Sequence, residues 1–167
     1  MSWWLRALWA AAVSLVVITL GLTFVRLLEM PVELAFDTEL RARLNSDLYP
    51  HLSNASGLIE ALAIVVAVAL SAGERRTNRF RLTFLAVVLV IAAFVLWLAV
   101  VHPVNGAFTA WASQSVPGDW QRWHLRWAQG HIGGAVLLSG ALILLLIALT
   151  GPRRIAVPRQ ARAPRGT

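Results

Sequence analysis

Four long stretches of the chain are almost free of polar side chains, and the segments between them carry nearly all of the charge. The stretches run from Ala7 to Val25, from about Ala55 to Ala72, from Leu82 to Val101 and from about Ile132 to Thr150. A helix needs about 20 mostly apolar residues to cross a hydrocarbon core of about 30 Å, and each stretch meets that requirement. The second contains a single charge, Glu60, and the third and fourth contain none. Residues 82–101 and 135–149 are apolar around the whole helical circumference, whereas the outer helices of a soluble bundle show a polar face. The pattern predicts an all-α fold. Residues 1–151 form one four-helix transmembrane bundle, and Gly151-Pro152 stops its last helix. The exit of the first stretch reads Phe24-Val25-Arg26-Leu27-Leu28-Glu29 with no small-x-small cleavage site, so this stretch is read as a retained span.

The loops carry their own patterns. In residues 30–54, Phe36, Leu40, Leu44 and Leu48 recur every four positions among charged neighbours. This predicts an amphipathic helix of about four turns beginning after Pro31, lying in the interface or capping a cavity between the spans. Residues 102–131 hold four of the eight Trp and three of the four His. Pro117-Gly118-Asp119 predicts a turn, with Asp119 capping a helix that starts near Trp120. Trp120, His124, Trp127 and His131 then share one helical face, and the helix runs on into the fourth span. Gly130 and Gly134 form a small-x-x-x-small packing face on it. Trp3, Trp4 and Trp9 read as an interfacial aromatic belt.

Composition sharpens the picture. The chain is 58% hydrophobic and 14% charged, with no cysteine. That excludes an intrinsically disordered chain, a disulfide scaffold and a cysteine–zinc site. The net charge of +7 invites a nucleic-acid partner, but the placement of the charge argues against one. All fifteen cationic residues are Arg. Nine lie in two places: Arg75, Arg76, Arg79 and Arg81 in the loop between spans two and three, and Arg153, Arg154, Arg159, Arg162 and Arg165 in the tail. The positive-inside rule places both termini and the 73–81 loop in the cytoplasm, and the two longer loops outside a plasma (inner) membrane. The tail, residues 152–167, has no core-forming pattern and is expected to be disordered beside anionic lipid. The expected partner is the lipid bilayer; a homo-oligomer is compatible with the pattern. Arg without Lys, with abundant Ala, Val and Leu, hints at a high-GC bacterial genome.

This topology gathers polar residues at the outer ends of the helices. Glu29 ends span one, and Glu60 sits about a turn and a half into span two. His102 and Asn105 follow span three, and His124, Arg126 and His131 lead into span four. An ionisable residue inside a span is a functional-site hypothesis with a partner to name; for Glu60 the partner would be Arg26 or Arg126. Carboxylates and imidazoles at one place can act as acid and base around an apolar substrate, or bind a divalent metal. No metal motif, nucleotide loop or nucleophile elbow accompanies them, so no metal or other cofactor is predicted.

The stretch Pro103-Val104-Asn105, Trp111, Pro117-x-Asp119-Trp120 and Arg126-Trp127-x-x-x-His131 resembles the anthrone oxygenase-like family of small integral membrane proteins, long catalogued as a domain of unknown function. Leu28-Glu29-Met30-Pro31, Leu48-Tyr49-Pro50 and Glu60 are similar to the first half of its bacterial members. The resemblance covers most of residues 15–150. Ala128 and Gly134 depart from it, where members often have an acidic residue and an Arg. It implies an oxidoreductase that uses molecular oxygen on a small aromatic or lipophilic molecule, without an evident conventional cofactor. His131 or Glu60 would abstract a proton, and Arg126 and Asn105 would stabilise the anion formed. Trp127, Trp111, Glu29, His102 and His124 would line the substrate. Two alternatives stand beside it: a non-enzymatic membrane binding or accessory protein whose polar cluster is structural, and a metal or haem protein using His102, His124 and His131.

Overall fold

The computed structural model describes residues 1–36, 40, 43–111, 113 and 116–154. Its helices are α1 (Trp3–Ala35), α2 (Tyr49–Glu74), α3 (Phe80–Leu96), α4 (His102–Ala110) and α5 (Trp120–Thr150). α4 continues the line of α3, so the chain makes four rods in an up-down-up-down bundle. α1 and α3 each pack against both α2 and α5. Four candidate spans of 31 residues each are long and apolar enough to cross a membrane. At 1.5 Å per residue such a rod is about 46 Å long, so its ends reach beyond the hydrocarbon. The bundle's outer surface is a continuous coat of Val, Leu, Ile and Phe, for example Leu58, Val65, Phe84, Val95, Val136 and Ile143. Water would not tolerate an apolar surface of that extent; a bilayer solvates it. The chain is a multi-pass integral membrane protein.

Close packing comes from small residues. Ala12, Ala63, Ala86 and Ala141 are fully buried where the four helices meet, with Val16, Val90 and Leu138 between them. On α5 the glycines face different neighbours. A Cβ on Gly130 would lie 2.6 Å from Val101 Cγ2, and one on Gly133 would lie 2.7 Å from Leu96 Cδ2. A Cβ on Gly134 would meet nothing within 4 Å. The packing pair is therefore Gly130 and Gly133, and the expectation for Gly134 is corrected. Gly130→Ala is expected to cost about 1–3 kcal/mol through overpacking, read as a lowered melting temperature in detergent.

Three prolines shape the end of the bundle remote from the chain termini. Pro31 lies inside α1, which continues to Ala35. The loop helix expected to begin after Pro31 therefore does not start there. Leu44–Leu48 is a π-helical turn that leads directly into α2, with Pro50 just after it. Residues 37–39 and 41–42, the middle of the expected amphipathic helix, lie outside the described residues. A second π-helical turn, Trp97–Val101, separates α3 from α4 and again precedes a proline, Pro103. Proline has no N–H to give to the carbonyl four residues back and its ring crowds that carbonyl, so a widened turn is a natural accommodation. Asp119 precedes α5 but makes no side-chain cap; its backbone carbonyl accepts the N–H of Arg122 instead.

The opposite end is tied by a buried polar knot. Glu74, at the end of α2, is 0% exposed. It accepts hydrogen bonds from Trp9 Nε1 at 3.1 Å, Thr77 Oγ1 at 2.7 Å and Arg153 Nε at 3.1 Å. Arg79 Nη2 donates to the carbonyls of Leu149 and Gly151, satisfying the C-terminus of α5. Asn78 donates to the Pro152 carbonyl and accepts from the Arg154 N–H. Trp9, read as a belt residue, is thus 2% exposed and structural, while Trp3 and Trp4 are exposed. The first residues of the expected disordered tail, 152–154, are held in place; residues 155–167 lie outside the described residues.

Candidate functional site

At the proline-shaped end, the four rods surround a partly open cavity of about 60 Å³. Three elements supply most of its chemistry: Arg26 from α1, Tyr49 and Glu60 from α2, and Trp127 and His131 from α5, with Trp97 and Asn105 from the third rod. The volume exceeds the roughly 10–15 Å³ that holds one water. It falls well short of the roughly 150 Å³ at which an apolar cavity takes up benzene.

Each wall has a local cause. Gly57 lets the ring of Trp97 lie against α2, since a Cβ there would stand 2.9 Å from Trp97 Cη2. Asn105 ties three rods: its Nδ2 donates to Ser53 Oγ at 2.9 Å, and its Oδ1 accepts from Trp127 Nε1 at 2.8 Å. That fixes the Trp127 ring as a wall. His131 Nδ1 lies 3.0 Å from the Trp127 carbonyl. A carbonyl only accepts, so Nδ1 carries the hydrogen and Nε2 keeps its lone pair. His131 is 8% exposed and Glu60 6% exposed. Glu60 Oε1 is buried with no hydrogen-bond partner among the described residues.

The cation in the wall is Arg26. Its guanidinium lies 3.9 Å from the centre of the Tyr49 ring and 5.1 Å from that of Trp127. It forms ion pairs with Glu29 and with Glu33, the latter at 3.0 Å. Planar arginine suits such a stacked, doubly paired position.

Four of the expected site residues line the cavity: Glu60, Asn105, Trp127 and His131. Five do not. Arg126 is exposed on the outer face of α5, because the face that carries Trp127 and His131 inward carries Arg126 outward. Glu29 acts behind Arg26. His102 is exposed and rests on Trp97, ring centres 5.2 Å apart. Trp111 packs on Phe108 and Trp123, and His124 is stacked on Phe108 at 4.6 Å. Phe108, Trp111 and Trp123 belong to a second apolar cluster with Val104, Ala128 and the cavity residues Val101, Trp97 and Trp127. The three imidazoles weighed as metal or haem ligands have separate settings, and no group of three metal-binding side chains is found among the described residues. Glu60 pairs with neither Arg26 nor Arg126 in any ion pair among the described residues.

Trp97, Ser53 and Ser56 are lining residues that sequence reasoning passed over, and Arg26 and Tyr49, named there only as a partner for Glu60 and as part of a motif, were not placed in the site. Two signals were available. Glu29 and Glu33 stand three and seven residues after Arg26, on its own helical face. Tyr49 is the single tyrosine, and Trp97 is a tryptophan within a span rather than at its edge.

The fold and the site define a class: a four-span membrane protein with a small cavity of mixed polar and apolar lining near one end of the bundle. No family model, curated protein or solved structure matches the chain.

Proposed function

We propose that the cavity receives the reacting end of a small lipophilic or aromatic molecule whose body lies in the adjoining apolar groove, and that the protein acts on it as an oxidoreductase of the anthrone oxygenase-like type. The observation that carries this is the pairing of Glu60 and His131. Two buried ionisable groups from different helices line one cavity; Glu60 Oε1 has no hydrogen-bond partner among the described residues, and such burial is costly unless a ligand supplies one. The chemistry the resemblance implies is oxidation of an activated methylene by molecular oxygen, giving a carbonyl and water. Both C–H bonds of the methylene break. One oxygen atom of the dioxygen becomes the carbonyl oxygen, and the other leaves as water with the two hydrogens. The methylene carbon is oxidised and the dioxygen is reduced. The protein's part is the proton. Glu60 or His131 Nε2 takes it, and the cation in the cavity wall is Arg26, paired with Glu29 and Glu33, rather than Arg126. Asn105 positions Trp127 rather than stabilising the anion itself.

Access from the bilayer is supported by a wider apolar groove beside the cavity, lined by Val25, Leu28, Val32 and Leu44 and sharing Tyr49 with it. The orientation proposed is cytoplasmic termini in a bacterial plasma membrane. The exposed Arg75, Arg76 and Arg81 gather at the end that holds the termini, and the cavity faces outward.

His131→Ala and Glu60→Gln, reconstituted in lipid and supplied with hydroxylated anthrones and oxygen, are each expected to lose activity by about 100-fold or more. Both should retain near-native melting temperatures. Unchanged turnover in folded variants contradicts the catalytic reading. The second reading, a non-enzymatic binding or accessory protein, is favoured by the cavity's size, about 60 Å³. It predicts binding without turnover of any aromatic substrate. A role that is only structural predicts that Glu60→Gln destabilises the bundle and that nothing binds.

A further inference from the structure

We infer that the cavity selects a compact hydrogen-bond-donating head group, a hydroxyl or an amine on a lipophilic body, and rejects anionic heads. This rests on the ligand-site reading above and adds the chemical class.

The inventory of the walls decides it. Several donors around the cavity are already engaged. Trp127 Nε1 gives its hydrogen to Asn105, and Asn105 Nδ2 gives one to Ser53. Thr19 and Thr23 both donate to carbonyls of their own helix, those of Leu15 and Thr19. The Ser53 and Ser56 hydroxyls serve either sense. On the acceptor side, Glu60 Oε1 has no partner among the described residues, and with Nδ1 on the Trp127 carbonyl the neutral His131 ring carries its lone pair on Nε2. A head group that brings hydrogens satisfies both; one that brings only lone pairs satisfies neither.

Charge points the same way. Arg26 is the cation lining the cavity, and it is already paired with Glu29 and Glu33. With Glu60, three carboxyl groups stand against one guanidinium. A carboxylate or phosphate head would enter a site whose one cation is engaged. The volume, about 60 Å³, sets the size. It takes a hydroxyl or an amine with its attached carbon, while the body of the molecule lies outside.

The test uses 1-decanol, decylamine and sodium decanoate, which share a chain and differ at the head. Each is titrated into the full-length protein in nanodiscs of zwitterionic lipid, with concentrations scaled to measured partitioning. Quenching of tryptophan fluorescence and the shift in melting temperature are followed for the wild type and for Gly134→Leu, which fills the cavity. Binding by the cavity is the part of the signal that Gly134→Leu removes. The alcohol, the amine or both are expected to bind at least about tenfold tighter than decanoate, the two titrations separating a hydroxyl source from an amine source. Glu60→Gln, whose amide can donate, is expected to narrow that gap to about threefold or less. Cavity-dependent binding of decanoate as tight as that of both other heads overturns the inference while leaving the ligand site standing. If no head gives a signal that depends on Gly134, the site itself is refuted and the inference falls with it.

Discussion

Replacing Gly134 by Leu is expected to abolish ligand binding while the bundle stays folded. Gly134 lies on α5 and lines the cavity, and a Cβ there meets nothing within 4 Å. A leucine side chain grows into open space, and its four carbons take up much of about 60 Å³. The neighbouring position gives the opposite result. A Cβ on Gly133 would stand 2.7 Å from Leu96 Cδ2, so Gly133→Leu forces α3 and α5 apart. Binding by titration and melting temperature in detergent separate the two. Gly134→Leu should lose affinity by at least about tenfold with its melting temperature nearly unchanged, whereas Gly133→Leu should lose stability first.

Glu74→Ala is expected to cost about 3–5 kcal/mol of stability, the range for removing one partner of a buried charged network. Glu74 is 0% exposed and holds Trp9, Thr77 and Arg153, which come from three parts of the chain. Without it the Trp9 N–H and part of the Arg153 guanidinium are left without their acceptor. Glu74→Gln keeps an acceptor oxygen and should cost less. Arg153→Ala should also cost less, since that side chain is partly exposed and the pairing partly screened. Thermal unfolding followed through tryptophan emission checks the order. A Glu74→Ala protein as stable as the wild type would contradict the structural role.

The bundle was legible because a membrane span needs only length and apolarity, both of which are local. Residues 82–101 and 135–149 could be assigned with no knowledge of their neighbours. The inward face of α5 was legible for a similar reason: Trp127 and His131 sit four residues apart, and helical periodicity carries them to one side. What was not legible depended on the other three rods. Arg126 is adjacent to Trp127 in sequence but is exposed, and the cation lining the cavity is Arg26, some hundred positions earlier. Glu74 looked like part of a charged loop until folding brought Trp9 and Arg153 to it. His124 has the spacing of a site residue, and only the position of Phe108 shows it to be stacked on that ring instead. The loop helix was read as beginning after Pro31, whereas Pro31 lies within a continuous helix, and the widened turns before Pro50 and Pro103 left no mark in the hydrophobic pattern.

A water-sized thiol reagent reports on the cavity directly, because the chain contains no cysteine of its own. Gly134→Cys, Ala141→Cys and Val136→Cys are made one at a time and reconstituted in lipid. Each is exposed to silver ion, and the thiol left free is counted with a maleimide after denaturation. Position 134 lines the cavity, position 141 is sealed in the core, and position 136 faces the hydrocarbon. Silver is expected to protect the thiol at 134 and to leave those at 141 and 136 free. Equal protection at 134 and 141 would show that no solvent-reachable cavity lies between Glu60 and His131.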